Sequence, residues 1–378
     1  MNSLPADSLL DWYSRNSRDL PWRSDPNPWA VWVSEIMLQQ TRVDTVIPYF
    51  HRFMRKFPSV DALASAERIE LMKAWEGLGY YSRGRNLQDS ARVVVERFEG
   101  EIPNNRRDLL SLKGIGPYTV AAILSIAFNK PEAVVDGNVI RVFSRYYGIA
   151  EDVRKIKVRN QIEDLAMQSL DRQQPGDFNQ AVMDLGALIC KPSSPDCSNC
   201  PIRTGCLAYR TASTDSIPYK SPKKRPPHHH IGVGVLLNSR KQMLISLRPE
   251  DSMLGGLWEF PGGKKFEHES IIETVERELK EELGVEVDVA DKIMAIDHAY
   301  SHFSITLHAY WCTIRAGTVE PKSSDRLEWV STTELHNYPF PKANRVLINR
   351  IVIAGIPETV TSPEVGTDFK KIREAGSE

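Results

Sequence analysis

From about Pro5 to Ala208, apolar positions recur every three or four residues. Trp29–Tyr49, Leu71–Trp75, Leu87–Phe98 and Ile162–Leu170 each carry such a stripe, which is the period of an amphipathic helix. Pro58, Gly77, Gly100 and Pro103 stand between the stripes as breakers. This half shows neither the alternation of a half-buried strand nor a convincing internal repeat. The period then changes. Ile231–Leu237, Gln242–Arg248, Ile293–Tyr300 and Ser304–Ile314 read as strands, and Ser270–Leu283 reads as a charged amphipathic helix. Between the halves, a Ser/Thr/Pro-rich stretch ends in the basic run SPKKRPP and reads as an exposed linker. The pattern predicts an all-α domain over residues 1–208, a linker over 209–227 and an α+β domain over 228–355. The polar tail 356–378 is expected to be disordered.

A chain of 378 residues has room for two or three such domains with substantial cores. Its net charge of −1 gives no overall attraction to nucleic acid and leaves room for a local basic face. The N-terminus, MNSLPADSLLDWYS, has neither the basic nor the apolar region of a secretory signal. Apolar runs such as Val120–Phe128 are too short to cross a bilayer. Four of the five cysteines crowd between Cys190 and Cys206, unlike a distributed disulfide framework. A soluble, cytoplasmic protein without membrane contact is expected.

Several stretches carry candidate chemistry. Leu112–Arg141 opens on a Gly-Ile-Gly turn, in which Gly114 and Gly116 allow positive φ and close backbone approach to a phosphate. Pro117 suits the first position of the helix that follows, which reads as buried over Val120–Phe128. The stretch closes on Asp136, between valine and glycine. Glu35 lies in an otherwise apolar helix among Val31, Val33, Ile36 and Leu38, a setting that raises a carboxyl pKa toward neutrality. A capping or exposed glutamate would fit the same pattern. Gln39 and Gln40 can read base edges or serve as surface amides. Gly77–Leu87, GLGYYSRGRNL, sets two tyrosines among glycines and arginines, either as a nucleic-acid face or as a glycine-broken helix junction. The run Cys190-x₆-Cys197-x₂-Cys200-x₅-Cys206 is a metal-type thiolate set, for zinc or for an iron–sulfur cluster. Cys312, within a strand, reads as an inert core thiol, and His228–His230 as a polar strand entry rather than a metal site.

WVSEIMLQQT, GLGYYSRGRNL, LKGIGPYTVAAI, VVDGNVIRV, FNQAVMDLGALIC and the cysteine run cover most of residues 20–206. Together they resemble the helix-hairpin-helix DNA glycosylase superfamily with a four-cysteine cluster, and within it the adenine DNA glycosylases of the MutY type. The resemblance implies a six-helix module (about 23–135), and a cluster module made of the N-terminal helix and about 136–208, with the base pocket in the cleft between them. It implies removal of adenine mispaired with 8-oxoguanine, and with guanine, in double-stranded DNA, by a monomer in the bacterial cytosol and nucleoid. Repair or replication partners would dock at the linker. Carried over by position, Glu35 protonates the adenine ring and Asp136 stabilises the sugar cation. Tyr80 and Gln40 fill the vacated stack, the Gly114/Gly116 hairpin grips the backbone, and Trp22, Arg23 and Gln180 line the adenine pocket. Cys190, Cys197, Cys200 and Cys206 would ligate a [4Fe–4S] cluster.

The implied chemistry is coherent. Adenine leaves poorly until its ring is protonated, and the sugar then acquires oxocarbenium character, so one carboxyl must be neutral and another ionised, as in glycoside hydrolysis. The base must also leave the duplex to be reached. Glycosylase-lyases resembling endonuclease III carry a nucleophilic lysine where this chain has Tyr118, and tyrosine cannot form an imine. A monofunctional enzyme is therefore expected.

In the second half, Gly263-x₅-Glu269-x₇-Arg277-Glu278-Leu279-x-Glu281-Glu282-x-Gly284-Val285 satisfies the full Nudix box. Glu278, Glu281 and Glu282 share one helical face, with Mg²⁺ as the candidate cofactor. The MutY type usually lacks the complete box and uses this domain to recognise 8-oxoguanine. Here the box is either a relic supporting recognition or an additional diphosphatase. Tyr300-Ser301-His302 resembles the family's Phe-Ser-His lesion-sensing loop, with Tyr for Phe, so Ser301 and His302 are candidate lesion contacts. A non-catalytic lesion-binding protein is the alternative of a different class, and the presence of both Glu35 and Asp136 argues against it.

Overall fold

A computed structural model describes residues 3–222, 226–300, 302–358 and 360. Its contacts form two compact units, one of residues 1–66 and 83–223, the other of residues 67–82 and 224–378. Among the described residues, every strand lies at or beyond His228.

The first unit is helical, and polar residues set its helix starts. Asn27, Ser59 and Asn105 each accept a backbone N–H in the first turn of the following helix, satisfying a donor that has no partner within the helix. The apolar stripe over Trp29–Tyr49 is divided into two helices, Pro28–Leu38 and Val43–Lys56, by a turn in which Gln40 has φ +58°. The buried guanidinium of Arg83 closes the first of these helices. Its Nη1 donates to the carbonyls of Ile36 at 2.8 Å and Met37 at 2.9 Å, and also to that of Gln39. Arg83 therefore satisfies a helix end rather than being displayed for phosphate, as its setting in GLGYYSRGRNL suggested. Pro117 starts a helix at Pro117–Ala122, and a π-helical turn, Ile123–Ala127, continues it. Burial lapses from Ile126 onward, so the expected buried helix is shorter than Val120–Phe128.

Helix Gly137–Tyr147 is capped at its start by Asp136 and ends at Gly148, which has φ +68°. Phe143, Tyr146 and Tyr147 on this helix pack with Leu9, Ile162, Phe178 and Leu185 from helices Ala6–Asn16, Ile156–Ser169 and Pro175–Leu188. The stretch expected as an exposed linker has mostly exposed side chains, yet part of its backbone is fastened to this core. Arg145 Nε donates to the carbonyls of Thr214 and Ile217, Val153 N–H donates to that of Tyr219, and Ile217 is buried. A basic run looks solvated in sequence, but here the preceding carbonyls serve as partners for a buried arginine. Lys223–Arg225 lie outside the described residues.

The second unit is built on a sheet of seven strands: β1 His228–Leu237, β2 Met243–Leu247, β3 Trp258–Glu259, β4 Gly262–Lys264, β5 Glu286–Ala299, β6 Ser304–Ala316 and β7 Arg326–Val330. The main path runs β3-β2-β1-β6-β5, with β4 on β1 and β7 on β2. Among the described residues, only β1 and β6 pair in parallel. Because side chains alternate along a strand, neighbours on β1 serve different cores. Leu236 joins Leu279, Leu283 and Cys312 beneath helix Ile271–Leu283, whereas Val235 and Leu237 join Phe260, Phe340, Leu347 and Ile351 beneath helix Lys342–Ala354. A reciprocal Ser270/Glu273 capping box starts the first of these helices. Cys312 is buried as expected, and burial pushes its thiol pKa up. The very short β3 and β4, together with β7 and the last helix, were not apparent from periodicity.

Residues 67–82, which the sequence pattern groups with the first domain, make their contacts with the second unit. Of the tail, Val360 is buried in the second core, and residues 359 and 361–378 lie outside the described residues.

Gly148 tests the helix that starts at Asp136. A Cβ there would lie 2.4 Å from Leu207 Cδ2 on a left-handed backbone. Gly148→Ala is expected to destabilise the first unit by about 2 kcal/mol, seen as a lower urea midpoint of the helical circular-dichroism signal.

Candidate active site

Three elements of the first unit converge on a cavity of about 750 Å³. Helix Pro28–Leu38 is buried from Trp29 to Met37, so its one acid is withdrawn from solvent, and Glu35 is only 5% exposed where it lines the cavity. Tyr118, in the first turn of helix Pro117–Ala122, donates its hydroxyl hydrogen to Glu35 Oε2 at 2.7 Å. Asp136 reaches the same cavity from the start of helix Gly137–Tyr147. Trp22, Arg23, Gln40 and Gln180 also line it, so every first-unit residue expected at the base pocket is brought there.

The two carboxyls have different surroundings. Burial lifts Glu35 to about 7. The nearby Asp136 charge adds to the rise, while the Tyr118 hydrogen bond and Arg23 oppose it. Glu35 is therefore about half protonated near neutral pH. Asp136 is also raised by burial, but its carboxylate is well solvated by protein donors. Oδ1 accepts N–H groups from Asn138 at 2.8 Å and Val139 at 2.7 Å, and Oδ2 accepts Asn138 Nδ2–H at 2.8 Å. These bonds and the positive end of the helix favour the ionised form. Burial, reinforced by the Glu35 and Asp136 charges, raises the Tyr118 phenol well above its ordinary value, so it acts as a neutral donor.

Arg23 owes its position to an acid that sequence reasoning did not single out. Buried Asp184 accepts Arg23 Nη1–H at 2.8 Å and Nη2–H at 3.0 Å, and Arg18 Nε–H at 2.7 Å. Burial works to raise Asp184, but the hydrogen bonds and charges of Arg23 and Arg18 outweigh it and leave the carboxyl below its usual range. The signal was available: Asp184 is the single acid in the apolar stretch FNQAVMDLGALIC. Asn138 was missed as well. Besides holding Asp136, its Oδ1 accepts Arg141 Nη2–H at 2.8 Å, and Arg141 Nε–H reaches the Cys190 carbonyl at 2.7 Å. A continuous polar chain thus joins the site to the cysteine loop.

Gly114 behaves as expected, with φ +83°, and a Cβ on it would lie 2.9 Å from Asn86 Cβ. Gly116 does not. It has φ −99° and ψ 176°, extended backbone open to any residue, so positive φ is not its reason for being glycine. A Cβ there would meet nothing within 4 Å, which leaves its surface open to an approaching backbone. Tyr80 belongs to the second unit, where it has φ +47°, a left-handed backbone uncommon for residues other than glycine that Gln40 and several others here also adopt.

The four clustered thiols are all partly buried. Burial raises Cys197, Cys200 and Cys206, with Cys200 at about 12, and each is pushed further by its cysteine neighbours. Buried Arg145 donates Nη1–H to Cys190 Sγ at 3.4 Å and to the Lys191 carbonyl at 2.6 Å. Among the described residues no three His, Cys, Asp or Glu side chains stand in geometry for a single metal ion. The donor set nevertheless fits a group that binds thiolates. Four cysteines lie in one short loop, and the ionised form that burial disfavours at Cys197, Cys200 and Cys206 is the form that coordination would stabilise.

In the second unit Arg277 organises the Nudix box. It binds Glu269 through Nε and Nη2 at 2.9 Å each, holding that carboxyl down at about 2, and it also reaches Glu278 at 2.9 Å and Glu281 at 3.1 Å. Glu282 Oε2 accepts the Gly262 N–H at 3.0 Å, and burial, with Glu259 nearby, lifts Glu282 to about 7. A Cβ on Gly263 would lie 2.3 Å from the Glu278 carboxyl, so a larger residue there would displace that side chain. Tyr300 and Phe303 close the tip of the β5–β6 hairpin with stacked rings 4.7 Å apart. His302 is exposed at this tip, and Ser301 lies outside the described residues. His228–His230 enter β1 as expected, and His230 Nδ1 lies 3.1 Å from His308 Nε2.

Residues 33–168 match the family model described as HhH-GPD superfamily base excision DNA repair protein, and residues 232–350 match the NUDIX domain model. The adenine DNA glycosylase of Mus musculus is 36% identical across 80% of this chain and 69% of its own length. That of Homo sapiens is 34% identical across 87% and 70%, and that of Buchnera aphidicola from Schizaphis graminum is 35% identical across 79% and 84%. A solved structure of a thermostable thymine-DNA glycosylase superposes with a TM-score of 0.51 at 30% identity, covering 55% of this chain and 95% of that one. With two carboxyls in one cavity of a helical base-excision domain and relatives of this kind along most of its length, the chain belongs to the adenine DNA glycosylase family, enzymes of base excision repair.

Proposed function

We propose that this glycosylase hydrolyses adenine from mispairs with 8-oxoguanine, and from those with guanine, without a lyase step. The observation that carries the reading is the shared cavity of Glu35, poised at about 7, and Asp136, with three N–H donors on its carboxylate. With the adenine flipped into the cavity, the protonated Glu35 donates to a ring nitrogen and makes the base a competent leaving group. Asp136, ionised at its helix start, stabilises the positive charge that develops on the sugar. Tyr118 retains its proton, orients Glu35 and offers no amine for an imine, which supports a monofunctional enzyme.

Gln40 and Tyr80, each on a left-handed backbone, are the side chains we assign to the emptied stack. The open surface at Gly116 would receive the DNA backbone. Cys190, Cys197, Cys200 and Cys206 would hold a [4Fe–4S] cluster, which when bound cross-links a loop that has little apolar core of its own. We assign lesion reading to the β5–β6 tip, with Ser301 and His302. The Nudix box is read as structural support for that tip, because Glu269, Glu278, Glu281 and Glu282 all have protein donors; Mg²⁺ at Glu278, Glu281 and Glu282 would have to displace Arg277 and the Gly262 N–H.

Four outcomes test these assignments. Asp136→Asn is expected to slow single-turnover adenine release opposite 8-oxoguanine by about 10²- to 10³-fold, and an unchanged rate would remove Asp136 from the mechanism. The wild-type rate should fall as pH rises through about 7, because the acid form of Glu35 is the active one. In Tyr118→Phe the hydrogen bond that lowers the Glu35 pKa is gone, so the basic limb of the pH profile should move to higher pH. Freshly purified protein should absorb in the visible as iron–sulfur proteins do, and Cys200→Ala should lose that absorption; zinc in its place would leave the protein colourless.

A further inference from the structure

Residues 67–82 form a helix, Arg68–Trp75, followed by the turn Glu76-Gly77-Leu78-Gly79-Tyr80. The turn is built from unusual backbone, with φ +98° at Gly77, +74° at Gly79 and +47° at Tyr80. Local bonds hold it in shape: Trp75 Nε1–H donates to the Gly79 carbonyl at 3.2 Å, and Gly77 N–H donates to the Tyr81 hydroxyl oxygen at 3.1 Å. Its first residue ties the whole turn to the second unit. Glu76, with a side chain only 8% exposed, accepts the Phe340 N–H on Oε1 at 3.1 Å. Its Oε2 lies 2.9 Å from Lys73 Nζ and 3.4 Å from Arg345 Nη1. Lys73 in turn donates to the Tyr338 carbonyl at 3.4 Å, and Arg68 pairs with Glu250 at 3.1 Å.

The attachment point is well connected. Phe340 is buried and stacks on Phe260, and Trp258 N–H donates to the Pro339 carbonyl at 2.9 Å. Phe340 also stands just before helix Lys342–Ala354, so the Glu76 carboxylate meets both a backbone donor and the positive end of a helix. Phe340, Tyr300 and Phe303 belong to one apolar cluster, which places the Glu76 anchor and the hairpin tip on the same core.

We propose that Glu76 is a positioning residue. It fixes the Tyr80 turn to the Nudix-like domain, so that the domain reading the opposite base also sets the stance of the side chain that fills the stack. This rests on the reading above, that Tyr80 enters the stack and the C-terminal domain senses 8-oxoguanine. The bonds from Trp75 to Gly79 and from Gly77 to Tyr81 are the route by which a shift of the Phe340–Arg345 segment would reach Tyr80.

The test uses the full-length protein and single-turnover adenine release opposite 8-oxoguanine and opposite guanine. Glu76→Ala should lower the 8-oxoguanine-to-guanine rate ratio by about tenfold, equivalent to about 1.4 kcal/mol of lost selective stabilisation. Glu76→Gln, which keeps an acceptor for Phe340 N–H and loses the charge facing Arg345, should give an intermediate ratio and guards against a variant that does not fold. In a Tyr80→Ala background, Glu76→Ala should change the ratio no further. The inference is overturned if wild type discriminates and Tyr80→Ala reduces the ratio while Glu76→Ala preserves it. It is equally overturned if Glu76→Ala slows both substrates alike with a lower melting temperature. If wild type shows no discrimination, or Tyr80→Ala leaves the ratio intact, the underlying functional reading fails and the inference falls with it.

Discussion

Removing one carboxyl from water while leaving its neighbour solvated by protein groups is the constraint around which the first domain is arranged. An acid on a solvated helix would be ionised near neutral pH. Glu35 is only about half ionised there, because helix Pro28–Leu38 is buried along nearly its whole length. That setting rests on the turn at Gln39–Arg42, the buried guanidinium of Arg83 at the helix end and the half-buried phenol of Tyr118 as hydrogen-bond partner. Asp136 experiences a similar loss of solvent but receives three N–H donors in return, because it sits one residue outside a helix instead of within one. Two acids with nearly equal intrinsic strength are thus separated by their places on two helices.

Much of this was legible in the chain. A single acid in an apolar helix announces either strain or chemistry, and Glu35 was conspicuous for that reason. Asp136 was visible as an acid framed by valine and glycine, but its part as the cap of helix Gly137–Tyr147 came only with the structure. The partition into a helical half and a sheet half follows from the change of period near His228, which records whether a face is buried every second residue or every third and fourth. What escaped was whatever depends on long-range partnership. Nothing in its local setting says that Arg83 points inward to carbonyls, that Arg145 recruits the carbonyls of Thr214 and Ile217, or that residues 67–82 side with the second half of the chain. Gly116 shows the converse limit. Its identity suggested a backbone requirement, whereas the structure shows ordinary extended geometry and open space.

Arginine is the recurrent means of joining distant segments here. Arg23 and Arg18 share Asp184, Arg141 spans Asn138 and the cysteine loop, Arg145 binds four separate carbonyls, and Arg277 gathers three carboxylates of the Nudix box. A planar head with five donors can satisfy several acceptors at once, which a lysine cannot do in fixed directions. Buried polar networks of this kind hold only when nearly every member is satisfied, so substitutions around them are not independent of one another.

The guanidinium of Arg83 has a consequence for how the surface beside the pocket meets a ligand. By binding the last carbonyls of the Glu35 helix it also arrests the turn that follows, including the left-handed backbone of Gln40. A segment already immobilised has little conformational entropy left to lose when something is seated against it, so association at that turn is governed by the deformability of the incoming partner. If DNA seats there as proposed, the protein acts as a template, and the nucleic acid is the member of the pair that must yield.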